Sequence, residues 1–138
     1  MPAIRKKSDP SPAAQPALKH AGKSVLVVDD ETAVRRLVKI ALEQAGLRVL
    51  EAEDGMEALR VLDTMNPDLV LTDIVMPGMD GIALALEVAH RVPDLPIVLM
   101  SGFSSDPGPR AKAKGFIRKP FLPAALVEAV IRQLQHSP

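Results

Sequence analysis

Lys23-Ser24-Val25-Leu26-Val27-Val28-Asp29-Asp30-Glu31 is the stretch that decides the fold. Its centre is an unbroken apolar run rich in β-branched residues, the pattern of a strand covered on both faces. The run stops at three consecutive acidic side chains. A strand buried on both sides belongs to the interior of a sheet, and parallel sheets of that kind carry helices on each face.

Outward from this strand, helical and extended periods alternate. Val34, Leu37, Val38, Ala41 and Ala45 follow the i, i+3, i+4, i+7 spacing of a buried helical stripe, and Gly46 supplies a stop. Residues 47–52 read as a second strand whose charges, Arg48 and Glu51, suit a sheet edge. Ala58, Leu59, Leu62 and Met65 form a second helical stripe, closed by Asn66-Pro67. A third strand begins at Leu69 and ends in Asp73. Met76-Pro77-Gly78-Met79-Asp80-Gly81 has turn chemistry, and a third helix follows from 81 to 91. A fourth strand starts at Ile97 and ends in Ser101, and a fifth covers residues 115–118. Pro123 opens the last helix as a favourable first residue, and Leu126, Val127, Val130, Ile131 and Leu134 share a stripe.

Five strands alternating with helices predict an α/β fold: a doubly wound parallel sheet in the flavodoxin-like order 2-1-3-4-5. Such sheets bind ligands beyond the carboxyl ends of their strands, at the point where the order reverses.

Composition sets the outer bounds. The chain has 138 residues, 47% of them hydrophobic and 25% charged, the make-up of one globular domain. Seventeen basic and seventeen acidic residues give a formal net charge of zero, which argues against a general attraction to nucleic acid or anionic membrane. Three phenylalanines are the only aromatic residues, too few for base stacking. The absence of cysteine excludes disulfides, thiolate metal sites and thiol catalysis. No apolar run has the length of a membrane span, and no apolar segment of a secretory signal follows the basic Arg5, Lys6 and Lys7. A cytoplasmic location is the corresponding expectation. Residues 1–22, with four interleaved prolines, read as a disordered basic tail, and residues 23–138 as the folded domain.

The polar residues at strand ends then carry the function. Asp29 and Asp30 follow the first strand, Asp73 ends the third, Ser101 the fourth, and Lys119-Pro120 follows the fifth. An aspartate after a strand commonly caps the next helix, so any one of these alone would be unremarkable. Four strands that each deliver a reactive group to one rim are a different matter. Crowded carboxylates repel one another unless a cation is present, and Mg²⁺ is the hard, oxygen-seeking ion that such a set suits. A carboxylate can accept a phosphoryl group, a lysine can neutralise its charge, and a hydroxyl can bond its oxygens. The histidines at 20, 90 and 136 have no paired ligand spacing and read as surface residues.

Val25-Leu26-Val27-Val28-Asp29-Asp30-Glu31, residues 73–81, Ser101-Gly102 and Lys119-Pro120-Phe121 together resemble the receiver domain of two-component response regulators, the CheY-like fold. The likeness spans residues 24–135. It implies that Asp73 is the phosphoacceptor and that Asp29, Asp30, Asp73 and the Val75 backbone carbonyl hold Mg²⁺. It further implies that Lys119 binds the phosphoryl group, that Ser101 and Phe116 are the switch pair, and that the Lys119–Pro120 bond is cis. An ordinary core role is the other reading of Phe116. Gly102 permits close approach to the phosphoryl group or serves a plain turn. Val75 and Phe103, both apolar, flank the site and predict a persistent phosphorylated form. The implied partners are a histidine kinase or histidine phosphotransfer protein and an unidentified downstream protein, with no nucleic acid or membrane. The expected molecule is a stand-alone receiver that catalyses its own phosphorylation and dephosphorylation without being a turnover enzyme. A phosphorylation-independent adaptor is the rival reading. A small phosphatase or nucleotide binder is disfavoured, since no glycine-rich loop follows the first strand.

The segment between the fourth and fifth strands departs from the family. Gly102 to Lys114 is 13 residues, and Pro107-Gly108-Pro109 sits at its centre. Two loops leave about 5–7 residues for a helix, against a mean near 11–12. The helix between strands four and five is therefore predicted to be truncated or absent and its segment mobile. The resemblance then implies a monomer or an atypical dimer.

Overall fold

Parallel pairing of β1 (Ser24–Val28) with both β2 (Arg48–Ala52) and β3 (Leu69–Asp73) makes the opening strand an interior one, as its apolar run requires. The computed structural model describes residues 22–102 and 112–135. β4 (Ile97–Ser101) and β5 (Gly115–Arg118) complete a five-stranded sheet in the order β2-β1-β3-β4-β5. The order and direction are those expected. The described helices are α1 (Thr32–Gln44), α2 (Gly55–Thr64), α3 (Gly81–Arg91) and α4 (Pro123–Gln135). The expected tail, apart from Gly22, lies outside the described residues. So do Phe103 and most of the segment for which a lost helix is predicted.

Strand periodicity divides the core in two. Val25, Val27, Leu69, Leu71, Val98, Met100 and Ile117 point to one face, where Val38, Ala41 and Leu42 of α1 meet Leu126, Val130 and Leu134 of α4. Leu26, Val28, Val70, Ile97 and Leu99 point to the other, against Ala58 and Leu59 of α2 and Leu84, Ala85 and Val88 of α3. Successive strand residues point to opposite faces, so one continuous apolar run supplies both layers. Truncating a central side chain such as Leu26 or Leu71 to alanine costs about 2–5 kcal/mol.

Two helical stripes differ from the expectation. Leu37 is 49% exposed, while Leu42 is fully buried. The stripe of α1 centres on Val38, Ala41 and Leu42, and Leu37 lies about 100° off that centre. Met65 is 42% exposed and falls after the end of α2, its backbone already extended ahead of Asn66-Pro67. Edge strand β2 carries its charges outward as expected.

Candidate functional site

Helix capping separates two kinds of aspartate in this chain. Asp54 and Asp80 are N-caps: their side chains accept from the Glu57 and Ala83 amides at 2.8 Å each, at the starts of α2 and α3. The acidic residues after β1 do not do this. The N-cap of α1 is Glu31, whose side chain makes no capping bond. Asp29 instead accepts from the Glu31 amide at 2.9 Å and is fully buried, whereas Asp30 is exposed. Capping therefore does not account for the acidic pair.

Strand register brings the rim together. β1 and β3 are neighbours, so Asp29 and Asp73 lie side by side at the point where the strand order reverses. Asp29, Asp30 and Asp73 each offer an oxygen, all within 4.8 Å of one another. This is a hard, all-carboxylate donor set with one exposed member, which fits an ion that takes few protein ligands and keeps its waters.

A cation already balances part of that charge. Lys119, just beyond β5, places Nζ 3.0 Å from Asp29 Oδ2, 3.3 Å from Asp73 Oδ2 and 3.7 Å from Glu31 Oε1. Its backbone amide donates to the Ser101 carbonyl at 3.0 Å, extending the β4–β5 pairing past the strand ends. The Lys119–Pro120 peptide is cis. Asp73 is 5% exposed, and burial pushes its carboxyl above the ordinary value of 3.8. The Lys119 charge opposes that rise and the Asp29 charge adds to it. Burial alone would lower Lys119, but the hydrogen bond and charge of Asp29, with the charge of Asp73, outweigh it and raise the ammonium above 10.5.

Above these groups opens a cleft of about 720 Å³ lined by Asp30, Asp73, Val75, Gly102 and Lys119. Val34 and Leu37 of α1, with Pro120 and Phe121, add an apolar wall that the sequence reading did not include. The half-exposed Leu37 is the signal for it. Val75 is 49% exposed at the mouth, and Ser101 is fully buried beneath at the end of β4. Phe116 is not part of the cleft. It is half-buried against the α2/α3 face of the sheet, with the Arg118 guanidinium carbon 5.7 Å from its ring centre.

Two further residues shape the site; in sequence Gly81 is marked only as part of a turn and a helix start, and Arg35 not at all. Gly81 opens α3 with its amide on the Ile74 carbonyl at 2.8 Å, folding the loop after Asp73 back on itself. A Cβ there would stand 2.1 Å from the Asp73 carbonyl oxygen, so the position requires glycine. Arg35 of α1 donates to the Asp29 carbonyl at 2.6 Å. Neither role has a local signature, because each depends on a contact with another element.

With sheet order, rim and cleft in place, the class of protein follows: residues 25–131 match the family model described as response regulator receiver domain, and the chain belongs to that family. Among its relatives, the phosphate regulon transcriptional regulatory protein PhoB of Pseudomonas aeruginosa is 38% identical over 121 residues, 81% of this chain and 53% of PhoB. The DNA-binding transcriptional regulator NtrC of Escherichia coli is 39% identical over 116 residues, again 81% of this chain but 25% of NtrC. The chain thus spans about half of one relative and a quarter of the other. Among solved structures, a CheY-like receiver protein from Methanospirillum hungatei superposes with a TM-score of 0.79 at 29% identity, covering 84% of this chain and 96% of that one. The response regulator TrrA of Thermotoga maritima, in complex with Mg²⁺ and BeF, gives 0.74 at 38% identity, covering 81% and 98%. No described helix is long and apolar enough to cross a membrane.

Proposed function

We propose that this receiver takes a phosphoryl group from a phosphohistidine of a histidine kinase or phosphotransfer protein onto Asp73, in the cytoplasm, and signals by altered binding to a downstream protein or by onward transfer. The observation that carries this reading is the Lys119 ammonium held between Asp29 and Asp73 at the floor of an open cleft. Asp73 is buried, with its carboxylate facing a cation and the cleft, the placement a phosphoryl acceptor needs.

In the transfer a new bond forms between an Asp73 oxygen and phosphorus while the phosphorus–nitrogen bond to the imidazole breaks. Such transfer depends mainly on in-line positioning and charge neutralisation. Asp29, Asp30 and Asp73, with the Val75 carbonyl, would hold Mg²⁺, whose charge offsets that of the incoming phosphoryl oxygens. Lys119 supplies the second positive charge on the same rim. Ser101, at the end of β4, provides the hydroxyl that draws toward the phosphoryl group, and Phe116 on the adjacent strand is the ring whose packing responds. The TrrA structure supports the cofactor reading, since that relative is in complex with Mg²⁺ and BeF. The test is incubation with phosphoramidate and Mg²⁺, read by Phos-tag mobility and intact mass. A stable adduct of one phosphoryl group, absent without Mg²⁺, is expected. No adduct under any donor would favour an adaptor that works without phosphorylation.

A further inference from the structure

Arg35 lies six residues after Asp29, and its side chain folds back from α1 toward the strand end. Nη1 donates to the Asp29 carbonyl oxygen at 2.6 Å, and Nε pairs with Glu51 Oε1 of β2 at 3.0 Å. The Arg35 side chain is 13% exposed, and Lys39 Nζ stands 3.7 Å from the other Glu51 oxygen. One planar guanidinium therefore ties α1, β2 and the turn after β1 together, with a donor committed to each neighbour.

The acceptor gives this contact its meaning. The Asp29 carbonyl belongs to the peptide that joins Asp29 to Asp30, so the orientation of that peptide sets where Asp30 emerges. Asp29 has other restraints: its amide donates to the Ala52 carbonyl at 3.1 Å, and its carboxylate is held by the Glu31 amide and Lys119. Asp30 is exposed, and among the described residues no hydrogen bond or ion pair holds its carboxylate. The backbone alone places it, and Arg35 holds that backbone.

We propose that Arg35 is a positioning residue for the divalent-cation site, acting through the Asp29–Asp30 peptide to hold the Asp30 carboxylate beside those of Asp29 and Asp73. The proposal rests on the reading of these three carboxylates as the Mg²⁺ site. A cation this close would by itself oppose Mg²⁺, but its charge is partly offset by Glu51 at 3.0 Å, a carboxylate it shares with Lys39, so the geometric effect prevails. Groups that orient metal ligands typically affect affinity by about 10–100-fold when removed.

The experiment is an NMR titration of the full chain with MgCl₂, comparing the wild type with Arg35→Met, Arg35→Lys and Asp30→Ala, alongside Glu31 amide exchange in metal-free samples. Arg35→Met is expected to lower Mg²⁺ affinity about tenfold, with Arg35→Lys between it and the wild type, because an ammonium cannot bridge both acceptors. Without metal, the Glu31 amide should exchange faster in Arg35→Met, as the turn it closes on Asp29 loosens. Faster exchange with unchanged Mg²⁺ affinity would make Arg35 merely structural and overturn the proposal, as would no change in either. If Arg35→Met fails to fold, wild-type affinity in Arg35→Lys overturns it. Unchanged affinity in Asp30→Ala would show instead that the acidic-site reading is wrong, and the proposal falls with it.

Discussion

The ammonium of Lys119 stands 3.0 Å from Oδ2 of Asp29, a residue 90 positions earlier in the chain. Between them in the sheet lie the ends of β3 and β4, and the same ammonium is 3.3 Å from Asp73 on the first of these. A long side chain from one edge strand thus bridges carboxylates on two interior strands. Asp29 and Asp73 are both buried, and buried like charges at this separation require a counter-ion.

Asp73→Asn is expected to abolish phosphorylation by phosphoramidate while preserving the fold. Asparagine removes the nucleophile at nearly constant volume and also removes a carboxylate that burial disfavours. Thermal unfolding should therefore show a midpoint no lower than that of the wild type near pH 7. A phosphoryl adduct on the variant by mass spectrometry would place the acceptor elsewhere.

Asp30→Ala and Asp54→Ala should have opposite signatures. Asp54 caps α2, and losing such a cap costs about 1 kcal/mol in urea unfolding with little effect on Mg²⁺ binding. Asp30 caps nothing, so Asp30→Ala should leave stability near that of the wild type and weaken Mg²⁺ binding in a calorimetric titration. Similar stability losses in both would restore capping as the role of Asp30.

The pH dependence of stability has a definite sign at each group. Burial raises the Asp73 carboxyl, partly opposed by Lys119, so the folded state holds this proton more tightly than the unfolded chain. Its contribution is fully present below 3.8 and lost as pH rises through the raised value. Lys119 is raised too: burial pulls it down, but Asp29 and Asp73 prevail. That contribution is fully present below 10.5 and lost as pH climbs through the folded value. Urea unfolding should show the alkaline loss in the wild type and not in Lys119→Met. A difference between the two that stays constant from about pH 9 to 12 would contradict the ion pairs.

Gly81→Ala should destabilise the fold by about 1–3 kcal/mol and weaken Mg²⁺ binding, because the new methyl overlaps the Asp73–Ile74 backbone. It would lie 2.1 Å from the Asp73 carbonyl oxygen and 2.8 Å from the Ile74 Cα, so the start of α3 must move away from β3. Gly55→Ala is the comparison. There the added Cβ meets side-chain atoms of Met79 only, Sδ at 2.9 Å and Cβ at 3.0 Å, a smaller overlap than that with backbone at Gly81, and the loss in urea unfolding should be smaller.

Residues 25–28 were legible as an interior strand because burial on both faces leaves no polar alternation, a property of the local sequence alone, and the apolar run 69–71 marked a further strand. Once they alternate with helical stripes, the connection rules limit the order in which the strands can lie. Asp29, Asp30, Asp73, Ser101 and Lys119 were legible for the same reason: each sits at a strand end, and parallel strands bring their carboxyl ends to one rim. The exposure of Leu37 was less so, since apolar spacing marks a stripe but not which of its borders the neighbouring helix covers.

The chain by itself therefore marked the strands and the groups at their ends, since periods of 2 and 3.6 residues and strand ends are local properties, and the connection rules narrowed the strand order. Tertiary structure decided which atoms of that rim meet. The reach of Lys119 across β4 and β3, the hold of Arg35 on the Asp29 carbonyl and the closeness of Gly81 to Asp73 depend on the register and spacing of elements far apart in sequence. No local pattern encodes such distances, because each is set by packing of the whole sheet against its helices.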